Sequence, residues 1–173
     1  MNFELVKKGD PILFKPTQRF NFSDPPFDPI DFSKEFIKFM YDSKGIGLAA
    51  NQVGIPYSIF AMRGEPENFV VFNPRIVQPS QEEIVLEEGC LTYPGLFFKI
   101  KRPRHIRVRF NTPNGDILTK QFTGMTARIF QHEFDHLQGT PFFTKASRLS
   151  IEMAVKKARK LGYEYFMKDF KGE

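Results

Sequence analysis

Residues 129–139 read Ile129-Phe130-Gln131-His132-Glu133-Phe134-Asp135-His136-Leu137-Gln138-Gly139. His132, Glu133 and His136 fit the pattern H-E-x-x-H. On a helix, positions i and i+4 lie one turn apart on the same face, so two imidazoles can grip one metal ion. Glu133 borders that face, where its carboxylate can reach a water as general base without being a ligand. The spacing predicts a helix over 124–138, with Ile129, His132, His136 and Leu137 on one side. Thr123 or Gly124 stands near its start and Gly139 at its end. Ile129 on that stripe should face a core, and buried neutral imidazoles need partners, which a metal supplies. The plain alternative is a surface helix that happens to carry His and Glu.

A catalytic site of this type needs three protein ligands and one open position. No His follows His136, and the later carboxylates are Glu152, Glu164, Asp169 and Glu173, in or after a basic last helix read as exposed. The whole chain of 173 residues holds one Cys and three His. One Cys closes no intramolecular disulfide, which excludes a disulfide-stapled scaffold and any zinc site with two or more Cys. Cys90 is the remaining strong candidate. It lies in Glu87-Glu88-Gly89-Cys90-Leu91-Thr92-Tyr93-Pro94-Gly95, read as a turn-rich loop after a β-like run. One Cys with two His is a chemically reasonable ligand set; the competing reading is a small core residue. His105, between Arg104 and Ile106, reads as a surface residue.

Around this motif the chain is ordinary globular material, 41% hydrophobic and 26% charged, of a length that suits a single domain over 1–173. No apolar run approaches the ~20 residues of a membrane helix. Met1–Lys8 gives no expectation of a secretory signal, and with the lone Cys this points to the cytoplasm. Charge is uneven: residues 1–86 hold 9 basic and 11 acidic groups, and residues 87–173 hold 16 and 9. Residues 9–30 carry five Pro and read as extended chain and loop. Phe32, Phe36, Phe39 and Met40 mark a first helix over 32–43, with Asp31 as N-cap and Gly45 as stop. Strands are expected at Tyr57–Met62, Phe69–Phe72, Ile84–Leu86, around Ile106–Phe110 and at Ile117–Phe122. The last two join at the hairpin signal Asn114-Gly115. A C-terminal helix is expected over 149–161, with Ile151, Val155, Ala158 and Leu161 inward and its lysines outward. This order predicts an α+β fold, with mixed or antiparallel strands around a central metal-binding helix.

Between the first helix and the first clear strand lies Gly45-Ile46-Gly47-Leu48-Ala49-Ala50-Asn51-Gln52. Its glycines let backbone approach a ligand closely. No Gly-Lys-Ser/Thr follows, so it is not a phosphate loop. Gln52 is a neutral amide donor that can face an oxyanion. Read alone, the stretch is a tight helix–strand connection.

Together the three segments resemble the motifs of peptide deformylases. Gly45–Gln52 resembles G-x-G-L-A-A-x-Q, Glu88-Gly89-Cys90-Leu91-Thr92 resembles E-G-C-L-S, and His132–Gly139 resembles H-E-x-D-H-L-x-G. The likeness spans roughly residues 9–160 and includes Asp10-Pro11-Ile12-Leu13. Thr92 stands where the family usually has Ser, and both carry a hydroxyl. The resemblance implies removal of the N-formyl group from the initiator methionine of new polypeptides. It implies one divalent ion on Cys90, His132 and His136, usually Fe²⁺ and replaceable by Ni²⁺, Co²⁺ or Zn²⁺. Glu133 would activate water, and the Gln52 side chain and Leu91 backbone N–H would meet the oxyanion. Ile46 and Gly47 would pair with the peptide backbone, while Met125, Ile129, Glu88 and Gly89 would form the substrate pocket. Formylmethionyl nascent chains are the implied partners; no membrane or DNA partner is expected.

Two rival readings deserve tests. A peptidase of the H-E-x-x-H type needs a third ligand after the helix. An RNA-binding module would use the acid-free run Lys99, Lys101, Arg102, Arg104, Arg107 and Arg109, or Lys156-Lys157-Ala158-Arg159-Lys160. Arg102 can instead pair with Glu88 inside the fold. The last helix can also serve an enzyme by docking it on ribosomes.

Overall fold

The computed structural model describes residues 1–172 and shows a mixed α+β fold. The elements are α1 (Pro29–Asp42), β1 (Gly47–Ala49), β2 (Ile59–Met62), β3 (Phe69–Pro79), β4 (Glu83–Cys90), β5 (Tyr93–Pro103), β6 (His105–Asn111), β7 (Ile117–Thr123), α2 (Gly124–Leu137) and α3 (Arg148–Lys160). Five strands form one sheet in the order β1-β2-β3-β6-β7, and β4 pairs with β5 as a separate ribbon. Every pairing within the two sheets is antiparallel. No helix among the described residues is long and apolar enough to cross a membrane.

Helix α1 begins three residues before its apolar periodicity does. Asp28, not Asp31, is the N-cap: its Oδ1 accepts from Ile30 N (2.9 Å) and Asp31 N (2.8 Å), with Pro29 at the first helical position. The helix ends at Ser43 rather than Gly45, because Lys44 itself takes the left-handed conformation (φ +59°). The buried Phe32, Phe36 and Met40 pack on one face of the sheet, against Leu48, Ile59, Val70 and Phe72. The Pro-rich segment before α1 completes this cluster with Phe20, Phe22 and Phe27. The Phe27 and Phe32 rings stack at 4.6 Å, and Phe20 meets Phe72 edge-on at 5.0 Å. Much of the high Phe content is therefore one aromatic layer.

On the opposite face lies α2. Its Ala127, Ile129, Phe130 and Leu137 pack with Phe60, Val71, Val108 and Phe122. A third apolar cluster joins the ribbon to α3 and the tail through Tyr93, Phe98, Ile100, Phe142, Ala158 and Tyr165. Helix α2 thus sits between sheet and ribbon.

Several strands differ from their expected extents. β2 starts at Ile59 instead of Tyr57, whose backbone makes only an isolated bridge to Gln18. β3 continues past Phe72 to Pro79 through a register shift at Asn73-Pro74. Asn73 adopts φ +50°, and its side chain binds Phe20 N and Phe20 O at 2.8 and 3.0 Å. The Cys90 segment is not a loop: Glu83–Cys90 is a strand, and only Leu91-Thr92 turns into β5, itself unforeseen.

The end of the chain also departs from expectation. Leu161 is exposed (61%) rather than inward, since the chain leaves α3 there. The tail folds back onto the turn after Cys90. Tyr165 Oη donates to Pro94 O (2.5 Å), and buried Tyr93 donates its hydroxyl to Asp169 O (3.1 Å). Asp169 is buried, not exposed; its carboxylate accepts from Phe166 N and lies 3.6 Å from Lys8 Nζ.

Candidate metal centre

Arg128, His132 and His136 recur at i, i+4 and i+8 on α2, so one stripe of the helix carries polar groups into the interior; all three are buried. Opposite them, β4 ends at Cys90. The Cys90 Sγ and one nitrogen of each His lie within 4.8 Å of one another, with Sγ 3.3 Å from His136 Nε2. Among the described residues this is the one His, Cys and carboxylate group gathered closely enough to hold a metal ion. The donor set fits a divalent ion of borderline softness.

Glu88 organises the surroundings. Its Oε2 accepts from His132 Nδ1 (2.9 Å), leaving the other ring nitrogen free for the centre. Arg102 grips the same carboxylate with Nε (2.6 Å) and Nη2 (3.0 Å), and Arg128 adds a bond of 2.8 Å. Arg102 reaches on to Asp135 (2.7 Å). The expected Arg102–Glu88 pair is thus present and extends through the ribbon into α2. Burial raises the pKa of Glu88, but hydrogen bonds from His132 and Arg102 overcome it and hold the carboxyl well below its usual range. Burial lowers that of His132, yet hydrogen bonds to Cys90 and Glu88 carry it up to about 10; burial keeps His136 well below the ordinary histidine value.

Glu133 is buried, and its Oε2 has no hydrogen-bond partner. Burial pushes its pKa up to about 7. Its carboxylate lies against the backbone of β1: a Cβ added to Gly47 would sit 2.3 Å from Glu133 Oε1. The glycine supplies room for the carboxylate. Gln52 is fixed at both ends of its amide, Oε1 accepting from Ala49 N (2.8 Å) and Nε2 donating to Thr92 Oγ1 (3.0 Å). That Nε2 is 3.4 Å from Cys90 Sγ. Asn51 Nδ2 donates to His136 O (2.6 Å), tying the first motif to the helix of the third.

A cavity of about 480 Å³ opens onto this centre. Gln52, Leu91 and Glu133 line it, as do Ile46, Gly47, Gly89, Met125 and Ile129, so the three motifs meet at one cleft. Ile46 and Met125 are half exposed at 50% and 56%, whereas Ile129 is buried at 7%. Glu88 also borders the cavity, but its carboxylate is taken up by His132 and the two arginines. His105 stands apart, bonded to Thr123 Oγ1 at 2.8 Å. None of the downstream carboxylates Glu152, Glu164 and Asp169 joins the ligand group, and Glu173 lies outside the described residues.

Arg128, Asn51 and Thr92 make contacts at the site to which the sequence gives no role, although Asn51 and Thr92 lie inside the quoted motifs. Arg128 alone left a signal, an arginine on the stripe of the two histidines. The contacts of Asn51 and Thr92 span 85 and 40 residues and leave no local pattern.

Residues 3–152 match the family described as Polypeptide deformylase. The chain is 35% identical over 173 residues to "Peptide deformylase" of Wolbachia pipientis subsp. Culex pipiens, covering 90% of this chain and 97% of that protein. It is 34% identical to "Peptide deformylase 1B, chloroplastic" of Oryza sativa subsp. japonica, covering 94% of this chain but only 61% of that longer protein. Among solved structures, a peptide deformylase from Synechococcus elongatus in complex with actinonin superposes with a TM-score of 0.85 at 30% identity. That match covers 96% of this chain and 88% of the other.

Proposed function

The chain belongs to the peptide deformylase family, and from that premise we propose that it hydrolyses the N-formyl amide of initiator formylmethionine on new polypeptides, releasing formate. The observation that carries this reading is the gathering of Cys90, His132 and His136 beside a buried Glu133 carboxylate, one oxygen of which has no partner, at one cleft.

Cys90, His132 and His136 would hold the cation, taken as Fe²⁺, with Ni²⁺, Co²⁺ and Zn²⁺ as substitutes. When bound, it supplies Lewis acidity to the carbonyl oxygen and to water. Glu133 accepts the proton of the attacking water and returns it to the departing amine nitrogen. Gln52 Nε2 and the Leu91 backbone N–H donate to the formyl oxygen as it gains charge. Ile46 and Gly47 offer backbone groups to the peptide as an added strand. Ile129, Met125 and Gly89 wall the methionine pocket, and Glu88 acts through the ring of His132. The enzyme would work in the cytoplasm, meeting nascent chains at the ribosome through the outer face of α3 that carries Arg159.

The direct test is anaerobic purification, metal analysis and a formate-release assay on formyl-Met-Ala-Ser; casein cleavage without formate release would favour the peptidase reading. Gln52→Ala should lower kcat by about 10²–10³-fold, the usual cost of one oxyanion donor. A change confined to KM would make Gln52 a binding residue. Cys90→Ser should purify with well under one iron per chain by elemental analysis, and full stoichiometry would remove Cys90 from the ligand set.

A further inference from the structure

A second groove opens beside the metal cavity. It runs between β5 and α3, has a volume of about 710 Å³, and shares Glu87 and Phe97 with the cavity as a common wall. Five lysines line it, Lys99, Lys145, Lys156, Lys157 and Lys160, against the single carboxylate of Glu87. Lys145 lies 3.5 Å from Asp135; among the described residues the other four lysines are exposed and in no ion pair.

Two periodicities place these cations. Along β5, Phe97 and Lys99 alternate with buried Phe98 and Ile100, so both stand on the outer face. Along α3, Met153, Lys156, Lys157 and Lys160 recur at i, i+3, i+4 and i+7, which is one helical stripe. The core-facing stripe of the same helix carries Ile151, Val155 and Ala158 instead. Arg148 and Arg159 do not line the groove.

We propose that this groove receives acidic side chains of the substrate downstream of formylmethionine, so that the enzyme favours formyl peptides rich in Asp and Glu near their start. The inference rests on the deformylase reading of the neighbouring cavity. A peptide whose formyl end sits at Glu133 leaves the cavity past its rim, and the wall at Glu87 and Phe97 is where the rim meets the groove. Lys99 lies two residues beyond Phe97 on the same face, roughly 7 Å away. An extended chain covers about 3.3–3.6 Å per residue, so residues downstream of the methionine can reach the lysines. Unpaired ammonium groups along a concave surface concentrate their field there and draw in anions. RNA phosphates also carry negative charge, but the shared wall places the groove next to the path of an emerging peptide.

The test compares formate release from formyl-Met-Ala-Ser with that from two longer formyl peptides of equal length, one with Asp and Glu after position three and one with Ser there. A labelled copy of the acidic peptide is followed by fluorescence anisotropy. At low salt the acidic peptide should show a kcat/KM about tenfold above the Ser peptide, the combined effect of several exposed ion pairs. The advantage should fall to within about twofold near 0.5 M salt, where the Debye length is about 4–5 Å. It should vanish in Lys156→Ala/Lys157→Ala/Lys160→Ala and persist in the corresponding triple Arg variant, with formyl-Met-Ala-Ser turned over equally by all three proteins. Equal kcat/KM for the two long peptides in the wild type would overturn the proposal. So would an RNA oligonucleotide that binds through these lysines while the acidic peptide does not. Absence of formate release from formyl-Met-Ala-Ser would count against the deformylase reading instead; the groove is then decided by anisotropy alone, where binding indifferent to the triple Ala substitution overturns it.

Discussion

Glu133→Ala is expected to keep its metal and to release formate about 10²–10⁴-fold more slowly than the wild type, the span usual for a lost general acid–base group. The expectation follows from the surroundings of the carboxylate. Glu133 is 4% exposed, one of its oxygens has no partner, and Gly47 gives it room against β1. A group held this way loses little by leaving, since no network depends on it, and the ligand atoms of Cys90, His132 and His136 come from other side chains. Burial also brings its pKa to about 7, where a carboxyl can both take and return a proton near neutral pH. Glu133→Gln keeps the volume and should lose activity alike. Formate release within threefold of wild type, with metal content matched, would remove Glu133 from the chemistry.

Glu88→Ala should lower stability by about 3–5 kcal/mol, the usual result of removing one partner from a buried ion pair. For a chain of this length that corresponds to a fall in Tm of roughly 6–20 °C. The substitution strips Arg102 of both of its bonds to Glu88 and Arg128 of its carboxylate contact; Arg102 keeps Asp135, and Arg128 keeps the carbonyls of Ile100 and Ile84. It also frees the His132 ring, so metal affinity should fall by about 10–100-fold, as for other lost partners of a ligand. Glu88→Gln keeps the shape and one acceptor and should lie between. A Tm within 2 °C of wild type for Glu88→Ala, read by calorimetry on metal-matched samples, would show that the arginines are satisfied without it.

The parts of the fold that were legible in the sequence are those with a repeating signal. Helix α2 shows its apolar and histidine stripes, and the β6–β7 hairpin shows alternation about Asn114-Gly115. The start of α1 was hidden because its first turn is fixed by Asp28 and Pro29 rather than by apolar spacing. β1 has three residues, too few for any period. β5 did alternate, with Leu96, Phe98 and Ile100 inward, but Tyr93-Pro94-Gly95 reads as a turn and Arg102 takes an inward position that apolar patterning would reject. That arginine serves the site: it is inward because Glu88 and Asp135 await it. That Cys90, His132 and His136 gather was legible from residue scarcity and spacing, whereas the contacts of Asn51, Thr92 and the tail depend on chain segments brought together by folding.

β1 stands at the end of its sheet with a neighbour on one side only. Unpaired strand edges recruit other strands, and long open ones promote aggregation. This edge is three residues long, fully buried, and its first residue lies in the wall of a cleft. A single extended chain can be threaded alongside it, whereas the edge of a second folded molecule is too bulky to enter. The opposite edge, β7, is longer and lies open, but Lys120 and polar Thr119 and Gln121 interrupt its apolar character. On the proposed function, recessing the sticky edge would reserve its backbone hydrogen bonds for flexible polypeptide rather than for other folded sheets, a useful property in an enzyme whose proposed substrates are unfinished proteins.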